Sequence, residues 1–215
     1  MPTLRVLIET TPKKAFASAL DWPGLSRGGR DENAALEALS AKLPRYALIA
    51  EAAGQPFPLD DIVLEVVERV PGNGASAYGI PAMVTATDRL PATPAEAERE
   101  AALVEAAWEA LDRIAAAAPE ELRKGPRGGG RDRSAIVDHV NGADTGYAWA
   151  IGRKHEAGSR EAIEAMRGDV LAVLRQPSDG SAIAGKKWPP RYAARRIAWH
   201  ALDHAWEIED RTDRE

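Results

Sequence analysis

Within the first ninety residues, short runs with apolar residues at every second position flank one stretch of helical spacing, and after them the spacing is every third or fourth position. Leu4, Val6 and Ile8 alternate with Arg5, Leu7 and Glu9, which predicts a half-buried strand. After a turn at Thr11-Pro12-Lys13-Lys14, Ala15 to Leu20 reads as a second strand with Phe16, Ser18 and Leu20 on one face. Trp22-Pro23-Gly24 bends the chain, and Arg27-Gly28-Gly29-Arg30 ends the extended part. Asp31 is a good N-cap for a helix in which Leu36, Leu39, Leu43, Tyr46, Ala50 and Ala53 keep helical spacing as far as Gly54. Pro44 falls inside that pattern and predicts a kink. Ile62 to Val70 is a β-branched strand closed by Pro71-Gly72-Asn73-Gly74. Tyr78 to Ala86 is one more short strand or a packed loop, with Pro81 arguing against a central strand.

The period then changes. Thr93-Pro94-x-Glu96 is a capping box with proline at the first helical position. The helix it opens carries Leu103, Val104, Ala107, Trp108, Leu111, Ile114 and Ala118 on one stripe. A glycine-rich loop, Gly125 to Gly130, leads to a second helix starting near Asp132. A third helix follows Ser159 and buries Ile163, Met166, Val170 and Leu174. The fourth runs from Trp188-Pro189-Pro190 to about Arg211. The expected class is α+β: a small α/β domain over residues 1–88, a linker at 89–95 and a four-helix bundle over 96–215.

Composition narrows the chemistry. The chain has 28 Lys+Arg against 33 Asp+Glu, a net charge of −5, 45% apolar residues and no cysteine. That is an ordinary globular balance, and the charge argues against an electrostatic nucleic-acid binder. Disulfides, thiolate zinc sites, cysteine nucleophiles and iron–sulfur clusters are excluded. No signal-peptide pattern and no apolar run long enough for a transmembrane helix is present, so the expectation is a cytoplasmic protein with no membrane partner.

Attention therefore falls on the four histidines. His200 and His204, four apart, share one helix face and can ligate one ion. His139 lies on a stripe with Ala135, Ile136, Ala143, Gly146 and Ala150, expected to face the core. If the two helices face each other the three imidazoles converge, and three neutral nitrogen ligands leave a position open, as in catalytic sites. The alternative is that an i,i+4 pair of histidines is surface or core decoration. Arg196, Glu207 and Arg211 lie within about 40° of His200 around the helix axis. Glu207 is a candidate to hydrogen-bond a ligand imidazole, to join the metal or to serve as general base, and Arg196 to hold an anionic substrate. Equally, the three form an ion-pair ladder. Asp203 is read as a solvated or inter-helix salt-bridge residue, His155 as a surface histidine, and Trp199 and Trp206 as core packing. The Arg127-Gly-Gly-Gly-Arg131 loop is an anion site or, by preference, a plain connector.

The segments Asp138-His-Val-Asn-Gly142 and Trp199-His-Ala-Leu-Asp-His-Ala-Trp-Glu-Ile-Glu-Asp-Arg211 resemble the histidine triad of the DinB-like (YfiT-like) superfamily over residues 96–214. The resemblance implies a four-helix bundle binding one divalent metal, often zinc or nickel, through His139, His200 and His204. It also implies a metal-dependent enzyme acting on a small molecule: a transferase or isomerase using an external low-molecular-weight thiol, or a hydrolase. The stretch Phe16-Ala-Ser-Ala-Leu-Asp-Trp-Pro-Gly24-Leu is similar to HicB-like antitoxin domains over residues 3–70, although a DNA-binding segment is replaced here by the bundle. The N-terminal unit is accordingly expected to be an accessory that docks on the bundle, covers the metal end or mediates a homodimer. The competing readings are a non-catalytic metal- or ligand-binding interaction protein and a toxin–antitoxin component.

Overall fold

Thr3–Thr11 (β1) and Lys14–Ala19 (β2) pair antiparallel across Pro12-Lys13, with Val6 opposite Ala19 and Thr11 opposite Lys14. The computed structural model describes residues 1–125, 129–156 and 158–212. A third strand, Ser26–Gly29 (β3), pairs with β2, and Val63–Pro71 (β4) lies parallel to β1, giving the order β3-β2-β1-β4. The segment expected only to end the extended region is thus itself a strand. Its glycines hid it, and at Gly29 they are needed: a Cβ there would stand 2.4 Å from the Ala35 nitrogen. On β4 the register with β1 slips between Val66 and Glu68, a bulge at Val67.

The single kinked helix expected after Asp31 is two helices, Glu32–Ser40 (α1) and Leu43–Ala52 (α2). Asp31 Oδ1 accepts from Ala34 N at 2.9 Å as a cap should. Pro44 sits in the first turn of α2, where its missing N–H costs nothing, so the chain breaks before it. Leu4, Val6, Ile8, Ala15, Ala17 and Ala19 pack with Ala35, Leu39, Tyr46 and Ile49 of these helices. Leu7, Glu9, Phe16, Ser18 and Ser26, on the opposite face, are buried as well. The first strand is therefore covered on both sides, not half-buried as its alternation suggests.

The second cover comes from the C-terminal part. Four helices pack in a ring: Pro94–Ala117 (α4) touches Arg160–Leu174 (α6) and Pro190–Arg211 (α7), and Arg133–Ala150 (α5) touches the same two. The capping box of α4 is formed, with Glu96 accepting from Thr93 N at 2.8 Å and Thr93 Oγ1 accepting from Glu96 N. Residues 78–86 are the packed loop of the two alternatives, entered by a short helix at Gly74–Tyr78 (α3). That loop is held by carboxylates. Buried Glu9 accepts from Ser76 Oγ, Ala82 N and Met83 N.

Buried Asp88 accepts from Arg195 Nε at 2.9 Å and Nη2 at 2.7 Å, a two-pronged pair that joins the loop to α7. Arg27 reaches Asp203 at 2.6 Å and lies over the Trp206 ring, while Arg45 pairs with Glu209 and Asp210. One hydrophobic cluster runs through both parts, from Leu4 to Ile208. Gly24, at φ +95°, brings the Trp22–Gly24 bend onto α7: a Cβ there would meet Leu202 Cδ1 at 2.7 Å and Ala198 Cβ at 3.2 Å. No helix among the described residues is long and apolar enough to cross a membrane.

Removing one partner of a buried ion pair strands the other charge. Asp88→Ala is expected to lower the unfolding free energy by about 3–5 kcal/mol in urea titration. A loss below about 1 kcal/mol, the range of surface pairs, would show that the pair is not a fastening of the structure.

Candidate metal centre

Helix α7 brings His200 and His204 to one face, one turn apart, and α5 lays His139 against them. The ring centroids are 5.1 Å apart for His139 and His200, 5.0 Å for His139 and His204, and 4.8 Å for His200 and His204, with the planes steeply inclined. One ligating nitrogen from each lies within 4.8 Å of the others, close enough to hold a metal ion. His200 is buried, His204 is partly covered and His139 is the most accessible. The stripe expected for α5 is displaced by one position. Ile136, Val140, Asp144 and Ala148 form the buried row, whereas Ala135 and Gly146 are exposed. His139 therefore reaches the trio from the rim of the bundle, not from its interior.

The electrostatics favour neutral imidazoles. Burial, helped by neighbouring His204 and Arg196, pushes the pKa of His200 down to about 2. Burial and the charge of Arg131 also lower His139. Glu207 Oε2 stands 2.8 Å from His204 Nδ1, and its other oxygen accepts from Arg211 Nη1 at 2.7 Å. These bonds hold the Glu207 carboxyl below its usual range. Through this contact the carboxylate fixes the His204 ring at Nδ1 and turns its Nε2 away from Glu207. His200 Nδ1 is buried with no hydrogen-bond partner. Three imidazole donors without sulfur are a set a borderline divalent ion accepts, so the residues present fit such an ion.

Of the expected Arg196–Glu207–Arg211 ladder, only the Glu207–Arg211 rung is made. Arg196 instead lies over the rings of Tyr147 (4.9 Å) and Trp199 (4.7 Å), with Nη1 buried and unpartnered. Asp203 makes the cross-structure salt bridge to Arg27, and Trp199 and Trp206 are buried. His155 stands apart from the trio, 3.0 Å from Asp169. The anion reading of the loop before α5 falls on Arg127 and Gly128, which lie outside the described residues.

Two residues of α5 escaped the sequence reading. Tyr147 packs edge-on to His200 with centroids 5.6 Å apart, and burial raises its pKa to about 12. Asp144, on the buried row of α5, accepts from Trp108 Nε1 at 2.9 Å and leaves Oδ1 without a partner. Burial raises its pKa to about 7. The signal was available, because Asp144 is the one carboxylate in the series Ile136, Val140, Asp144, Ala148.

Compared with family models, with curated proteins and with solved structures, the chain finds no match.

The buried histidine predicts a pH effect. Folded His200 stays neutral down to about pH 2, whereas the unfolded imidazole takes a proton below about 6.5, so its contribution to stability is lost as pH falls below 6.5. Asp144 and Glu100, both raised to about 7 by burial, act in the opposite direction over this range. The His200 effect is therefore read as a difference. Below pH 6, metal-stripped His200→Gln should lose about 1.4 kcal/mol less stability per pH unit than the natural sequence in urea titrations. Equal slopes would mean that His200 is protonated in the fold.

Proposed function

We propose that His139, His200 and His204 hold one divalent metal ion, zinc or nickel, and that the protein is a DinB-like metal-dependent enzyme acting on a small molecule. The observation that carries this reading is the convergence of three imidazoles from two helices, one of them held through Nδ1 by Glu207. When bound, a divalent ion supplies Lewis acidity that lowers the pKa of a water or thiol at its open position. The chain has no cysteine, so a thiol for S-transfer or isomerisation comes from outside.

The protein's own residues divide the remaining work. Glu207 accepts from His204 Nδ1 and orients that ring, while Arg211 restrains the carboxylate. Arg196, one turn before His200, puts positive charge on the flank of the site. His139 and the partly exposed Tyr147 leave the α5 side accessible to a small substrate. The N-terminal unit, HicB-like in its short motif, acts as an accessory whose Gly24 and Arg27 brace α7 on either side of His200.

Tag-free protein from metal-replete cells is expected to contain about one zinc or nickel per chain by elemental analysis. His200→Ala should lose most of it while keeping its helical circular dichroism. Absence of metal would overturn the site. Loaded protein is expected to conjugate an electrophile to glutathione, mycothiol or bacillithiol. Metal without turnover with any of the three would favour a binding module over a thiol transferase.

A further inference from the structure

The cations buried around α7 have carboxylate partners, with one exception. Arg195 has Asp88, Arg191 has Glu96 and Glu100, and Arg27 has Asp203. Arg196 is only 8% exposed, has no carboxylate oxygen within 4 Å among the described residues, and keeps Nη1 without a partner. A guanidinium cannot shed its proton, so the charge persists, and an unpaired buried charge is costly. Asp144 senses Arg196 but is held by Trp108 and makes no ion pair with it.

Arg196 stands where two stripes of α7 meet. One is the row of Arg196, His200, His204 and Glu207. The other is Tyr192, Arg195, Arg196 and Trp199, which lines a cavity against β2 and β3. The cavity has room for one small, compact group. Across it lie the buried hydroxyls of Ser18 and Ser26, 2.6 Å apart. Their mutual bond uses one hydroxyl proton and leaves the other to donate. Leu25, Pro81 and Trp199 make much of the remaining wall apolar. Water would satisfy a hydrogen bond here without offsetting the charge. A carboxylate or sulfate exceeds the space.

We propose that this cavity holds a halide-sized monovalent anion between Arg196 and the Ser18–Ser26 hydroxyl pair. The anion neutralises the one unpaired guanidinium of α7 and bridges the N-terminal sheet to the helix that carries His200 and His204. Its presence does not depend on a metal at the histidines.

Bromide is the probe, used with the full chain. Crystals soaked in sodium bromide should show an anomalous peak in the cavity. Thermal unfolding in sodium bromide against sodium acetate, whose carboxylate is too large for the cavity, at matched ionic strength should show a Tm higher by about 3–6 °C at ten times Kd. Arg196→Met is expected to abolish that difference, and the double variant Ser18→Ala/Ser26→Ala to weaken bromide binding about tenfold. Should Arg196→Met not fold, the anomalous map and the serine variant decide. A cavity without an anomalous peak, identical melting in the two salts, or an undiminished bromide effect in either variant would overturn the proposal.

Discussion

Helix α7 is buried without interruption from Tyr192 to Leu202, and an enclosed helix must find partners inside the protein for every polar side chain it carries. Much of the architecture answers that demand. Asp88 is carried to Arg195 by a loop that Glu9 pins from the sheet, and Asp203 is met by Arg27 from β3. The same enclosure keeps His200 neutral, since its proton would have to be stabilised where solvent is largely excluded. What makes α7 hard to bury is thus also what makes its histidines available as ligands.

The N-terminal sheet is shaped by having two neighbours. Towards α1 and α2 it presents Ala15, Ala17 and Ala19, small enough for the helices to sit close. Towards α7 it presents Ser18 and Ser26, whose hydroxyls share a cavity wall with Arg195 and Arg196. One of the two edge strands is β4, where the bulge at Val67 breaks the even pleat. A bulged edge is a poor template for further strand pairing.

The helical half was the more legible part of the sequence. Thr93-Pro94-x-Glu96, Ser159 and Pro190 marked helix starts through local chemistry that tertiary packing left intact. The His200/His204 pair followed from helical period alone, and His139 from its place on a facing helix. Its burial was misjudged because alanines and glycines of α5 line the outside as readily as the core, and only the larger Ile136 and Val140 mark the true inward row. Strand β3 was illegible for a related reason. Ser-Arg-Gly-Gly has no alternation, and its pairing is driven by contact with β2 and α1. Partnerships between distant charges, such as Asp88 with Arg195, leave no trace in local pattern. Tyr147 and Arg196 likewise acquire their setting only when α5 and α7 come together.

The contact at Gly24 has a consequence for how this protein can change over evolutionary time. Ala198 and Leu202, which it touches, flank His200 on the same stretch of α7. A single methyl group added at position 24 would press on the helix segment that sets the direction of an imidazole, although residue 24 takes no part in the trio. The bundle is consequently not a cassette that can be transplanted without its N-terminal companion. A larger side chain at position 24 would have to be met by a smaller one at position 202.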